Sequence, residues 1–186
     1  MNNKHKIKDE IRIIILFITF IWLVFLFDLF LPLEQLGLRP RTAVGVPGII
    51  AMPFLHADFR HIMSNTPPLF ILLTLLAGSR ANSKTIVFII ILLAGLLLWL
   101  FGRGNAIHIG ASGLVFGLAG FLIASGILEK RPLPLLISLI IGLIFGASLF
   151  AGILPTQKTV SWDGHLFGLI AGVITAWGLL NFRSKN

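Results

Sequence analysis

Three short polar groupings interrupt apolar runs of this chain: His56-x4-His61-x3-Asn65, Gly110-Ala111-Ser112-Gly113 and Asp163-Gly164-His165. A serine hydroxyl becomes a nucleophile when a neighbouring base takes its proton, and neutral imidazole suits that task near pH 7. Amide and imidazole N–H groups can stabilise the oxyanion that such an attack creates. At bilayer depth, polar side chains mark either a site or a hydrogen-bonded contact between helices. Each grouping alone fits the second reading: Gly-x-Ser-Gly in a chain with 19 glycines lets helices touch, and a lone histidine can bond across a helix pair.

The elements that must position these residues are membrane helices. Of 186 residues 56% are hydrophobic and 12% charged, with a mean hydropathy of +0.98, which excludes an ordinary soluble domain. Apolar stretches at 13–31, 62–77, 85–101, 112–128, 133–154 and 164–182 predict six spans of a hydrocarbon core about 30 Å thick, in one all-α domain covering 1–186. The lysine-bearing start resembles a signal peptide. Its apolar run is too long for an h-region, however, and no A-x-A cleavage site follows, so a retained anchor behind a short cytoplasmic segment, 1–12, is expected. Without transit-peptide composition, the cell membrane is the simplest location for this multi-pass protein.

Net charge +8 does not call for nucleic acid in such a chain; the basic residues are read by how they partition between loops. With the first helix starting inside, Lys4, Lys6, Lys8, Arg12, Arg80, Lys84, Lys130, Arg131, Arg183 and Lys185 are cytoplasmic. Arg39, Arg41, Arg60, Arg103 and Lys158 then lie outside. Ten against five predicts both termini cytoplasmic. Residues 32–55, rich in proline and glycine yet still apolar, are expected as a loop in the membrane interface. Zero cysteines exclude a disulfide framework, a thiolate nucleophile and cysteine-held metal.

Helical rise brings the polar groupings to one depth. Ser112 precedes the charge at Glu129 by 17 residues and His165 precedes Arg183 by 18, about 26 and 27 Å at ~1.5 Å per residue. On the antiparallel second helix, Asn65 and His61 lie about 22 and 28 Å from Arg80. Gly164, Gly168 and Gly172 on the last helix, and Gly113, Gly117 and Gly120 on the fourth, form small-residue ladders that permit backbone contact. Packed through them, the His165 imidazole comes within reach of the Ser112 hydroxyl.

With these residues in this order, the chain resembles the rhomboid intramembrane serine proteases, over nearly its whole length. The resemblance rests on Gly110 to Gly113, on His165 in a glycine-spaced last helix, and on His56, His61 and Asn65. It implies a six-helix rhomboid-like bundle with Ser112 as nucleophile and His165 as general base. His61 and Asn65 would supply the side-chain part of the oxyanion hole, and His56 would shape the entrance of the second helix. A small residue before the cut and a mobile fifth helix or adjoining loop as gate are also implied. Two departures stand out: Gly37-Leu38-Arg39-Pro40-Arg41 replaces a first-loop Trp-Arg pair of some members, and Phe116 replaces a frequent tyrosine.

On helical spacing, Phe116 shares a face with Ser112 at i+4, where its ring can pack beneath the imidazole. His61 and Asn65 likewise share a face, and the Ser112 backbone N–H at a helix start would join them. Asp163, two residues from His165, does not share its face and is expected hydrated at the interface, like Asp28 and Asp58. His5 and His108 are expected in loops, and Pro67 and Pro68 are expected to bend the second helix. Substrates would be transmembrane segments of other membrane proteins, opened near glycine, proline or polar residues, with no cofactor. One rival is a metal-dependent protease or transporter using His56, His61, His108 and His165. It lacks an H-E-x-x-H motif and a carboxylate among the deep polar residues. The other is a non-catalytic rhomboid-like protein that binds or escorts membrane clients.

Overall fold

A computed structural model describes residues 3–156 and 160–183, so Lys158 and Lys185 of the loop-charge comparison lie outside the described residues. The elements in order are α1 (Asn3–Asp28), the single turn α2 (Gly48–Ala51), α3 (Phe59–Ser79), α4 (Ser83–Phe101), α5 (Ser112–Glu129), α6 (Pro132–Gly152) and α7 (Trp162–Arg183). All but α2 are long and apolar enough to cross a membrane. The expected all-α, six-span architecture is therefore the one found.

The first helix departs most from its expected bounds. It begins at Asn3, well ahead of the apolar run, because the charged residues of this segment include good helix formers such as lysine and glutamate. His5, expected in a loop, accordingly lies in helical backbone. At its other end the helix stops at Asp28, whose Oδ1 accepts the Leu33 N–H (2.7 Å) and the Glu34 N–H (3.1 Å) and folds the chain into a 3-10 turn over Leu33–Leu36. That carboxylate, half-buried at the helix end, forms the turn as well as facing the interface.

The loop from 32 to 58 is ordered by tertiary contacts that its composition does not announce. Leu38 and His108 pair as an antiparallel bridge, with N···O distances of 3.0 and 2.8 Å in the two directions. Arg41 donates from Nη1 to the Gly102 carbonyl at 2.7 Å, and the Trp99 indole donates to the Thr42 carbonyl at 3.0 Å. Leu38, Ile49 and Met52 of the loop bury themselves against Leu98 of α4 as a small second core. The loop is thus a packed cap over the α4–α5 connection.

In the middle stands α5. Buried residues make up 67% of its span, against 17% for α1 and for α6, and it packs against α3, α4, α6 and α7. Its contact with α7 is the most extensive and depends on glycine. A Cβ on Gly168 would enter the Gly113 carbonyl and come within 3.1 Å of the Gly113 Cα; one on Gly172 would sit 2.7 Å from the Phe121 nitrogen. One on Gly117 would come within 3.1 Å of the Gly168 carbonyl. The two ladders therefore interleave rung by rung, the close approach small residues allow in membranes. At the far end Arg80 pairs with Glu129 and lies 5.6 Å from the Phe121 ring centroid, tying the end of α3 to the end of α5.

Helix α3 runs continuously through Pro67 and Pro68. Just before the prolines, Ser64 Oγ and Asn65 Nδ2 each donate to the His61 carbonyl at 2.8 Å, and Thr66 Oγ1 donates to the Ile62 carbonyl at 2.8 Å. These polar side chains thus fold back on the turn that contains His61 and leads into the prolines.

Candidate active site

Ser112 is the first residue of α5, and the chain reaches it through a turn only glycine tolerates. Gly110 has φ +113°, and a Cβ there would lie 2.6 Å from His61 Nε2, so the missing side chain both permits the turn and seats the His61 ring against it. The turn is pinned from below: the Gly110 N–H donates to the Met52 carbonyl at 3.0 Å and the Ala111 N–H to His56 Nε2 at 3.3 Å. Ala111, at the cap position, has no side-chain acceptor, so the Ser112 N–H stands at the positive end of the helix dipole.

His165 lies in the first turn of α7. The glycine contact between α5 and α7 brings its Nε2 to 2.8 Å from Ser112 Oγ. Phe116, one turn along α5 from the serine, stacks on the imidazole with centroids 4.1 Å apart and planes 9° apart. The ring's other nitrogen, Nδ1, is 2.9 Å from the Gly152 carbonyl at the end of α6. Only 9% of His165 is exposed, while Ser112 is half-buried.

On α3, His61 stands over Gly110 and Asn65 follows one turn later, buried, with one amide hydrogen given to the His61 carbonyl. Asp58, exposed as expected, also caps this helix by accepting the His61 N–H at 2.8 Å. His56 sits beneath, buried, its ring edge-on to His61 at 5.0 Å. Burial above all, with His61 adding to it and the Phe54 backbone partly offsetting, lowers the His56 pKa from 6.5 to about 4, so it stays neutral and can accept from Ala111.

Among the supporting glycines the need differs. Gly168 and Gly110 leave no room for a side chain, and a Cβ on Gly164 would come 2.6 Å from Ser161 Oγ. A Cβ on Gly113 would lie 3.4 Å from the Gly164 carbonyl oxygen, an ordinary contact.

Asp163 corrects the expectation that it is hydrated. It is 2% exposed, and its carboxylate accepts from the Arg103 N–H (2.9 Å) and from Arg103 Nη2 (3.1 Å). Arg103 also donates from Nη2 to the Val160 carbonyl (3.2 Å) and lies 5.4 Å from the Trp162 ring. His108 is a loop residue but a buried one, with Nδ1 2.7 Å from Ser161 Oγ, and burial lowers its pKa despite the nearby Asp163. This network joins the segment leading into Gly110 to the start of α7, and so fixes the two elements that carry Ser112 and His165. The sequence signal for it was slight: one arginine and one aspartate, 60 residues apart, each beside a site motif. Gly152 had no sequence signal at all beyond lying near the end of an apolar run. Among the described residues, no three His, Asp or Glu side chains gather closely enough to hold a metal ion.

The family model described as Rhomboid domain matches residues 45–182. Uncharacterized proteins of Mycobacterium bovis and Mycobacterium tuberculosis are 38% identical over 178 residues, covering 86% of this chain and 72% of theirs. The chain is also 30% identical over 154 residues to rhomboid-like protein 11, chloroplastic, of Arabidopsis thaliana, covering 74% of this chain and 54% of that protein.

Proposed function

Because the chain belongs to the rhomboid family, a family of intramembrane proteases and their relatives, we propose that it is an intramembrane serine endopeptidase acting through Ser112 and His165. The observation that carries this reading is the 2.8 Å approach of His165 Nε2 to Ser112 Oγ, with the imidazole stacked on Phe116 and held at its far nitrogen. A hydroxyl in that position loses its proton to Nε2 as Oγ attacks the scissile carbonyl carbon.

Negative charge then collects on the substrate oxygen. The Ser112 N–H, the second amide hydrogen of Asn65 and a ring N–H of His61 are the donors for it, worth more in a water-poor site than in solution. Collapse of the tetrahedral species expels the amine, which takes the proton from Nε2, and leaves an acyl group on Oγ. Water, deprotonated by the same nitrogen, then releases the acid.

Substrates in this reading are transmembrane segments of other membrane proteins. Their backbone must be unwound before the bond is reached, so segments with glycine, proline or polar residues near the cut are favoured. The excess of lysine and arginine on alternate loops supports cytoplasmic termini in the cell membrane, which turns the site toward the outer half of the bilayer. The test is purified protein in liposomes with a model transmembrane substrate. Cleavage that disappears in Ser112→Ala supports the assignment. A wild-type protein that binds such segments without cutting them would instead identify an escort factor.

A further inference from the structure

The only carboxylate close in sequence to His165 is committed elsewhere, since both oxygens of Asp163 accept from Arg103. Something else must hold the imidazole in one tautomer. Nδ1 lies 2.9 Å from the carbonyl oxygen of Gly152, and a carbonyl can only accept. Nδ1 therefore carries the hydrogen in the neutral ring, and Nε2 is left with the lone pair that faces Ser112 Oγ at 2.8 Å.

Gly152 is the last residue of α6, and the following N–H, that of Ile153, turns back to the Ala151 carbonyl. Its carbonyl is thus one of the helix-end acceptors that the helix cannot use itself, placed at the negative end of the helix dipole. That end favours the positive charge the ring acquires when Nε2 takes the serine proton. Glycine leaves room for both groups: a Cβ would fall 3.1 Å from His165 Nδ1 and 3.1 Å from Phe116 Cε1, and closer still to Phe116 Cζ. A side chain at this position therefore displaces the Phe116 ring from its present stack on His165.

We propose that Gly152 is a positioning residue whose backbone carbonyl orients the His165 base, as the carboxylate does in three-residue serine hydrolases. The inference rests on the Ser112 and His165 reading. In the reaction, the Oγ–H bond breaks, the proton moves to Nε2 and the Oγ–C bond forms. The Nδ1–H bond to Gly152 persists throughout, and the proton on Nε2 later leaves with the amine. Because α6 is buried along only 17% of its span, the base is held by one of the two least enclosed helices, and activity requires the end of that helix to be docked.

The test reads the tautomer directly, by nitrogen NMR of protein labelled with 15N-histidine in lipid nanodiscs, alongside cleavage and fluorophosphonate labelling of Ser112. In the wild type, His165 is expected as the Nδ1–H form. Gly152→Ala should shift it toward Nε2–H and lower cleavage about 10²-fold or more, the usual cost of a base misplaced by about 1 Å. Replacing Ile153 by its α-hydroxy acid turns the Gly152–Ile153 amide into an ester, which weakens the carbonyl as an acceptor without adding atoms. About a fivefold to tenfold loss is expected there, as for one weakened hydrogen bond. An Nε2–H wild type, or a Gly152→Ala variant with unchanged tautomer or unchanged cleavage, overturns the proposal. If the wild type shows Nδ1–H yet cuts no substrate, the protease reading fails while the positioning contact stands.

Discussion

His56 gives the sharpest test of how the site is supported, because its burial has a measurable linkage to pH. The ring is 1% exposed and its pKa is about 4, against 6.5 for an exposed histidine. Between those values the unfolded chain binds a proton that the folded one refuses, so stability rises with pH across the window and levels off above pH ~6.5. Conversely, it falls as pH drops from 6.5 toward 4. The separation of about 2.5 units corresponds to about 3 kcal/mol at ~1.36 kcal/mol per unit. His56→Gln keeps an acceptor for the Ala111 N–H but does not titrate, so this part of the acid sensitivity should vanish. The assay is unfolding in mixed detergent micelles, followed by tryptophan fluorescence at intervals from pH 4 to 7.5. His108, whose pKa burial also lowers, contributes equally to both proteins and cancels in the difference. Equal pH slopes for wild type and His56→Gln would refute the reasoning.

Asp163→Asn should cost about 2–3 kcal/mol in the same unfolding assay, less than the ~3–5 for breaking a fully buried pair, because the Arg103 side chain is 33% exposed. A change below about 0.5 kcal/mol would show that the Arg103 contacts do not hold the start of α7. Asn65→Ala should lower cleavage of a model transmembrane substrate by about 10²-fold with folding intact, and unchanged turnover in the His61→Ala, Asn65→Ala double variant removes both from the oxyanion hole. Gly168→Val drives a side chain into the Gly113 carbonyl and should destabilise the protein by at least about 1–3 kcal/mol, together with loss of fluorophosphonate labelling at Ser112. Normal labelling in that variant would mean the α5–α7 contact does not set the site.

The six spans were legible because hydrophobic length is a local property: the fourth stretch was read as 112–128 and forms Ser112–Glu129, and the fifth as 133–154 and forms Pro132–Gly152. Only the bounds of the first differed, since its opening turns are charged and its end is set by the Asp28 side chain reaching Leu33. Spacing also brought out Phe116 and Asn65, each one turn from a neighbour on its own helix. What stayed hidden depends on distant chain segments. Asp163 looked like a surface carboxylate until Arg103 was brought to it, and the order of the 32–58 loop rests on His108, Gly102 and Trp99. A backbone acceptor such as the Gly152 carbonyl has no side-chain signature and is visible only in three dimensions.

The interleaved glycines of α5 and α7 act as a vernier for the chemistry at their end. Sliding either helix by one residue would shift it about 1.5 Å and rotate it about 100° to restore contact, which would swing His165 off the serine altogether. At Gly168 and Gly172 a backbone atom of α5 stands where a side chain would have to go, so the contact tolerates nothing larger than glycine there. Accuracy at the hydroxyl and imidazole is thereby set by backbone contacts about one to two turns away along each helix. Gly117, Gly168 and Gly172 are therefore the positions that keep the scale in register.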